Sequence, residues 1–208
     1  MDGKGSVVVK QDDHKDSSFV DEYCQNLQGA LKQINPDQIL ELAETLKSCW
    51  IEGRRLWICG NGGSAANATH MANDLIYGVS KEYGSGLKVA SLSSNAAVIT
   101  CLANDAGYDS VYSMQLAVQA QEGDILIVLS GSGNSQNIIE VLEQAKRQQV
   151  KSYAILGFSG GKAKALADVA IHFQIDDMQI SEDLQVIVGH MLMQWLYQNK
   201  PTKNKEAT

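Results

Sequence analysis

The chain has 208 residues, 44% of them hydrophobic, and a formal net charge of −7 at pH 7, which is enough apolar material for one well-packed domain. The acidic balance excludes the broad basic surface with which proteins neutralise nucleic-acid phosphates, so no nucleic-acid partner is expected. No apolar run approaches the roughly 18 residues of a membrane span, and residues 1–16 have no apolar signal-peptide core, so we predict a cytoplasmic protein without membrane contact.

The N-terminal part of the sequence predicts a tail followed by two helices. Residues 1–16 are polar, with few bulky apolar side chains, so we expect a disordered tail. Residues 17–53 show two amphipathic helical patterns, with Ser18 as the expected N-cap of the first helix and Asn35-Pro36 between the two. Because these helices precede any strand, we expect them to lie across the sheet or against a partner subunit.

From residue 55 onward short apolar runs alternate with helical patterns, which indicates a parallel sheet covered on both faces. The predicted strands are residues 55–59, 87–92, 125–129, 152–157 and 169–175. The predicted helices are residues 64–77, 95–103, 111–121, 135–149, 162–167 and 181–198. We therefore predict a single α/β domain over residues 17–198, a three-layer αβα sandwich with a mainly parallel five-stranded sheet, and a flexible tail over residues 199–208.

The four cysteines indicate a reducing compartment. Cys24, Cys49, Cys59 and Cys101 show no CxxC spacing, and Cys59 lies inside a predicted strand. We interpret all four as buried, reduced thiols. This interpretation agrees with a cytoplasmic location.

Two of the predicted strands end in turns of glycine, serine and asparagine that open a helix. Residues 60–64 (GNGGS) follow the first strand, and residues 130–135 (SGSGNS) follow the third. Such a turn points backbone N–H groups and the positive end of a helix dipole at one spot, and glycines let a ligand approach the backbone. Two such turns predict a phosphorylated small molecule as the ligand, although each turn can also be glycine-rich for steric reasons alone.

Two other phosphate-binding motifs fit the sequence less well. Gly60, Gly62 and Ala65 occupy the small positions of a dinucleotide fingerprint, but the second strand ends in Ser93-Ser94-Asn95, without the acidic residue that would hold a ribose. Neither turn ends in Gly-Lys-Ser/Thr, which excludes a Walker loop. The turns are therefore interpreted as a site for a small phosphorylated molecule rather than a dinucleotide.

Four side chains outside the turns form a candidate metal site. His70 and Asp74 are four residues apart, so they share one helix face. Glu182 and His190 lie in the last predicted helix, and two imidazoles with two carboxylates would suit tetrahedral Zn²⁺. Eight residues of helix rise about 12 Å, so Glu182 and His190 reach one ion only if Glu182 lies on a frayed helix entry or extends along the helix.

Each of these side chains also has an ordinary structural explanation. An exposed polar pair would show the spacing of His70 and Asp74. Ser181 is a plausible N-cap, and Glu182 follows it as the acid that a helix start favours. A histidine such as His190 in an apolar helix is more often a core residue than a ligand. A glycine in a helix interior is about 1 kcal/mol less favourable than an alanine. The neighbouring Gly189 therefore indicates that another element approaches the helix closely.

These motifs together resemble the sugar-isomerase (SIS) domains and, within them, the phosphoheptose isomerases. The resemblance extends from about Phe19 to the end of the last helix, and it rests on residues 59–70, 103–108, 130–135 and 160–162 with Glu182 and His190. It implies an SIS-type fold and a homotetramer with active sites between subunits. It also implies aldose–ketose isomerisation of a sugar phosphate, foremost sedoheptulose 7-phosphate to D-glycero-D-manno-heptose 7-phosphate.

The resemblance assigns roles to individual positions. The phosphate would be bound by Ser130, Gly131, Ser132 and Ser135. The sugar would be contacted by Asn61, Gly62, Gly63, Ser64, Asp74, Ser94, Asn95 and Glu182. One Zn²⁺ per subunit would be held by His70, Asp74, Glu182 and His190. Asp74 and His190 would move protons between the two reacting carbons.

Four positions depart from the family pattern: Asp74 replaces a glutamate, Glu182 a glutamine, Asn95 an aspartate and Gln179 another acid. Two alternatives therefore stay open. The first is an isomerase of another sugar phosphate in capsule, lipopolysaccharide or nucleotide-sugar synthesis. The second is a non-catalytic SIS adaptor that binds the replication initiator protein, a class that lacks the catalytic histidine and the metal ligands.

Overall fold

The computed structural model describes residues 17–82 and 84–201, so the expected N-terminal tail and most of the expected C-terminal tail lie outside the described residues. The described strands are β1 (Arg55–Gly60), β2 (Lys88–Ser91), β3 (Ile125–Ser130), β4 (Lys151–Leu156) and β5 (Val169–His172). They form a parallel sheet in the order β2-β1-β3-β4-β5, which confirms the predicted α/β architecture. The two edge strands, β2 and β5, are shorter than predicted.

The described helices are α1 (Ser18–Leu31), α2 (Pro36–Ile51), α3 (Gly63–Asn73), α4 (Ala96–Asp105), α5 (Ser113–Gln119), α6 (Gln136–Arg147), α7 (Ala163–Leu166) and α8 (Met178–Gln198). A π-helical turn (Asp74–Gly78) continues α3, and a 3-10 turn (Tyr108–Ser110) precedes α5. Within residues 17–82 and 84–201, none of the helices combines the length and apolarity needed to cross a bilayer.

Side chains alternate between two apolar cores, one on each face of the sheet. In β1, Leu56 and Ile58 pack with α2, α3 and α8, whereas Trp57 and Cys59 pack with α5 and α6. This alternation is the period-two pattern of a strand covered on both faces. The central β3 is buried along all six of its residues, as a parallel strand between two helix layers must be.

Two predicted N-caps are wrong. Ser18 is the first residue of α1, and Ser17 before it makes no side-chain capping bond. The helix α8 begins three residues earlier than predicted because Asp177 caps it, with Oδ1 accepting the Ile180 N–H at 2.9 Å. Ser181 therefore lies within the first turn of α8. The early start adds most of a helical turn ahead of Glu182.

The cysteines divide into two classes. Cys49 and Cys59 are buried, Cys24 and Cys101 are exposed, and all four are free. The interpretation as buried thiols is therefore correct for two cysteines and wrong for the other two. Burial raises the pKa of Cys49 to about 12, and it raises the pKa of Cys59 as well, because the interior disfavours a thiolate.

We expect iodoacetamide at mildly alkaline pH to modify Cys24 and Cys101 in the folded protein and to leave Cys49 and Cys59 intact. The thiolate is the reacting species, and a buried thiol of raised pKa forms very little of it. Peptide mass spectrometry reports each cysteine separately, with the protein in denaturant as the control in which all four react. Rapid labelling of Cys59 without denaturant would contradict the burial of β1.

Candidate active site

The two glycine-rich turns lie side by side at the carboxyl edge of the sheet. β1 and β3 are parallel neighbours, and Gly60 pairs in register with Leu129. The chain passes from β1 to β2 on one side and then crosses to β3 on the other. The crevice between the turns is therefore the switch point of the sheet, the place where open α/β sheets bind ligands.

The turn after β3 has a rigid backbone and an open helix start. Ser130 Oγ accepts the Gly133 N–H at 3.0 Å, and the Ala163 N–H donates to the Gly133 carbonyl at 2.9 Å. Gly133 has φ +66°, and a Cβ there would collide with the Gly160 carbonyl oxygen. Ser135 is the N-cap of α6, yet its side chain makes no capping bond. Its hydroxyl and the helix N-terminus are thus free to bind an anion.

The turn after β1 is held by side chains from α6 and from the segment before α5. The Tyr112 hydroxyl donates to the Gly60 carbonyl at 2.5 Å. Asn61 and Asn137 exchange side-chain hydrogen bonds of 2.8 and 2.9 Å. Gly62, with φ +57°, is the N-cap of α3 and carries no side chain to cap it. This turn therefore also presents an uncapped helix start.

Neither Asn137 nor Tyr112 is identified as a site residue by the sequence patterns. Asn137 is 76 positions away from Asn61, and no short motif contains both residues. Tyr108, which belongs to the motif at residues 103–108, also donates to Asn61 Oδ1, at 3.0 Å. That motif and the turn that contains Asn61 are the sequence features that point to this network.

Two predicted sugar contacts lie at the end of β2 on the same edge of the sheet. Ser94 Oγ donates to the Ser91 carbonyl at 2.8 Å, and Asn95 Oδ1 caps α4 by accepting the Val98 N–H at 3.2 Å. Asparagine and aspartate are about equally good N-caps. The departure from the family aspartate therefore preserves this helix start, and the sugar contact remains a prediction.

Three of the four candidate metal ligands meet between α3 and α8. His70 Nε2 and His190 Nε2 are 2.9 Å apart, and Asp74 Oδ2 is 3.4 Å from the first and 3.6 Å from the second. Ligand bonds of about 2.0–2.1 Å at tetrahedral angles separate zinc ligands by about 3.3 Å. The donor types and their spacing therefore fit Zn²⁺. Both imidazole side chains are 46% exposed, so the site is open to a substrate or a partner.

Two local features bring these side chains together. The predicted helix 64–77 is not α-helical throughout, because the π-helical turn begins at Asp74 and changes the direction of the following side chains. Gly189 allows another element to approach α8 closely, as the sequence predicts. A Cβ at this position would lie 2.8 Å from Met71 Cγ in α3. The α3 and α8 backbones can therefore come close beside His190.

Glu182 does not belong to this group. Its carboxylate lies against Gly63 at the start of α3, where a Cβ on Gly63 would collide with it. Asn67 Nδ2 donates to the Glu182 carbonyl at 3.0 Å, which fixes the first turns of α8 against α3. Helix rise then places His190 about 12 Å further along α8. Glu182 as a metal ligand remains a prediction that requires its side chain to extend along α8.

The helix α1 is joined to α8 next to Glu182. The Tyr23 hydroxyl donates to Asp183 Oδ2 at 2.5 Å, and this hydrogen bond raises the pKa of Tyr23 to about 12. Within α1 only Ala30 is buried, whereas Phe19 is 69% and Val20 47% exposed. An apolar helix face of this kind is typical of a surface that packs against another chain.

The chain is similar to known proteins over most of its length. Residues 22–157 match the SIS domain family. The chain is 35% identical over 191 residues to the phosphoheptose isomerase of Helicobacter pylori, covering 92% of this chain and 94% of the relative. It is 36% identical to the probable phosphoheptose isomerase of Thermoplasma acidophilum, covering 76% of this chain and 87% of the relative.

Solved structures show the same likeness. Phosphoheptose isomerase GmhA from Neisseria gonorrhoeae has a TM-score of 0.80 and 28% identity, covering 88% of this chain and 96% of that one. A phosphoheptose isomerase from Francisella tularensis has a TM-score of 0.80 and 26% identity. The chain therefore belongs to the SIS-domain family and, within it, to the phosphoheptose isomerases.

Proposed function

We propose that this protein is an aldose–ketose isomerase that converts sedoheptulose 7-phosphate to D-glycero-D-manno-heptose 7-phosphate. The observation that carries the proposal is the cluster of His70, Asp74 and His190 between α8 and the helix that follows the turn after β1. The names of the relatives support the same reaction.

The phosphate binds at the turn after β3 in this proposal. Ser130, Gly131, Ser132 and Ser135 contribute hydroxyl and backbone N–H donors at the start of α6. The turn after β1 and the end of β2 contact the sugar hydroxyls. Binding energy far from the reacting carbons then orients the substrate, which accounts for much of the rate enhancement in such enzymes.

Asp74 is the proposed base. The hydrogen beside a carbonyl group is only weakly acidic, so a base must lie within hydrogen-bond distance of it. The Asp74 carboxylate is 19% exposed and lies beside both imidazoles, which hold it in one orientation. It takes the proton from one carbon and returns it to the next, while His190 moves the hydroxyl proton.

We propose that His70, Asp74 and His190 hold one Zn²⁺ per subunit, with Glu182 as the fourth ligand. When bound, the ion acts as a Lewis acid toward the carbonyl and hydroxyl oxygens of the sugar. Asp74 would therefore have two roles in this proposal, as a ligand of the ion and as the base.

A homotetramer with active sites between subunits is part of the same proposal. The half-exposed imidazoles and the exposed apolar face of α1 both support a partner chain that covers them. A cytoplasmic location is supported by the four free cysteines, two of them exposed, because such thiols persist where the environment is reducing.

Proton exchange tests the proposed reaction. We expect zinc-loaded protein with sedoheptulose 7-phosphate in D₂O to form the heptose 7-phosphate and to introduce deuterium at the first two carbons, as followed by NMR. Fructose 6-phosphate, one carbon shorter, is the matched comparison and should react more slowly. If only other ketose phosphates react, the substrate assignment is wrong. If none reacts, the adaptor hypothesis replaces it.

A further inference from the structure

A pair of amide side chains crosses directly between the two turns. Asn61 Nδ2 donates to Asn137 Oδ1 at 2.8 Å, and Asn137 Nδ2 donates to Asn61 Oδ1 at 2.9 Å. Asn61 belongs to the turn after β1, whereas Asn137 is the second residue of α6 and follows Ser135 by two positions. Asn137 is 1% exposed, so water does not compete for these bonds.

Two tyrosines fix the orientation of this amide pair. The hydroxyls of Tyr108 and Tyr112 lie 3.0 and 3.2 Å from Asn61 Oδ1, and Tyr112 is 2.5 Å from the Gly60 carbonyl. A phenol has one hydrogen to donate, so Tyr112 serves one oxygen at a time. Asn61 Oδ1 then receives its hydrogen bonds from Asn137 and Tyr108, and its Nδ2 must face Asn137.

The sheet alone cannot set the distance between the turns. The register between β1 and β3 ends at the pair Gly60 and Leu129, and both turns lie beyond it. Ser93 Oγ accepts the Gly60 N–H at 3.1 Å and so anchors the first turn to the β2 side. The amide pair is the direct side-chain link, among the described residues, from the first turn to the helix that carries the second.

We propose that Asn61 and Asn137 are positioning residues that set the spacing between the sugar-binding turn and the phosphate-binding turn. The inference rests on the proposed function, in which one substrate contacts both turns. Asn61 acts through the backbone that it holds, because both lone pairs of its Oδ1 and one of its two amide hydrogens are already engaged.

This role has a distinctive kinetic signature. A substrate that spans both turns is sensitive to their spacing, and a displacement of about 1 Å costs about a hundredfold in rate. Inorganic phosphate needs only the turn after β3, so its binding does not depend on the spacing. If a residue only supported the fold of α6, its substitution would weaken the binding of the sugar phosphate and of inorganic phosphate to a similar extent.

The variant Asn137→Ala tests the proposal. We expect kcat/KM for the sugar phosphate to fall about 30- to 100-fold, whereas the inhibition constant of inorganic phosphate changes by less than about threefold. Gln144→Ala is the matched control, because Gln144 lies further along α6 and, among the residues that the structure describes, its amide bonds only to Gln148 and Arg147. It should leave both constants unchanged.

Tyr108→Phe provides a second test that does not depend on a buried substitution. Tyr108 is 52% exposed, so the variant keeps the fold while removing one hydrogen bond to Asn61. We expect a decrease of about two- to fivefold in kcat/KM, with the inhibition constant of inorganic phosphate again unaffected.

A double variant provides a third test. When Asn61→Ala is combined with Asn137→Ala, the decrease in kcat/KM should not exceed that of the more severe single variant.

Three outcomes would overturn the proposal: equal losses for sugar phosphate and inorganic phosphate, additive losses in the double variant, or full activity in Asn137→Ala. Failure of the proposed function is a separate result. If the wild-type protein does not isomerise sedoheptulose 7-phosphate, calorimetry with that sugar and with inorganic phosphate still compares the two affinities. A loss confined to the sugar phosphate in Asn137→Ala would then support the positioning role by itself.

Discussion

Replacing His70 with alanine is expected to remove bound zinc and to lower kcat by about 10²–10⁴-fold, the range for losing a group that acts at the reacting atoms. His70 contributes one of three donors that lie within 3.6 Å of each other, and without it the proposed four-ligand site keeps only Asp74, His190 and Glu182. Elemental analysis of protein purified without chelator gives the metal content, and steady-state kinetics give the rate.

The fold should survive this substitution because the His70 side chain is 46% exposed on α3. Thermal unfolding of the variant should therefore match that of the wild type. Thr69→Ala is the control, since Thr69 is the exposed neighbour and bonds to the Ala65 carbonyl and Ser91 instead of the imidazoles. A variant that keeps one zinc per chain, or full activity without zinc, would refute the proposed ligand role of His70.

Asp74→Asn is expected to lower kcat by about 10²–10⁴-fold with little change in KM. The substitution preserves the shape of the side chain and one oxygen beside the imidazoles, but an amide cannot accept the substrate proton. Zinc affinity should also decrease, because a charged donor becomes neutral. The assay is therefore repeated at increasing zinc concentration, and occupancy is measured alongside the rate.

The zinc series separates the two roles proposed for Asp74. A rate that stays low at full occupancy identifies the carboxylate as the base, whereas a rate that recovers with occupancy identifies it as a ligand only. Asp74→Glu restores the residue typical of the family. We expect it to be about tenfold slower than the wild type, because the extra methylene displaces a carboxylate that already lies 3.4 and 3.6 Å from the imidazoles.

The residue patterns predict the architecture well because the relevant signals are local. The apolar run in β3 is buried along its whole length, and the glycine-rich turns directly follow their strands. Helix ends are predicted less well. Ser181 and Asp177 are both acceptable caps in isolation, and Asp177 is used because of where the chain enters α8 from β5.

The candidate site also combines features that local sequence patterns predict with features that they do not. His70 and Asp74 are recognisable as a pair because four residues span one helical turn. The π-helical turn at Asp74 has no simple sequence signal, and neither does the position of Glu182 against Gly63. Those features depend on how α3 and α8 pack, which is a property of the whole core.

By itself, the sequence determined the parallel sheet, the order of its elements along the chain and the two glycine-rich turns, because periodicity and glycine placement act over a few neighbouring residues. Only the tertiary structure decided which distant side chains meet. His70 and His190 are 120 positions apart, and Asn61 and Asn137 are 76 apart, yet each pair is within hydrogen-bond distance. Such contacts arise from the packing of helices on a shared sheet, and that packing is a collective outcome of both apolar cores.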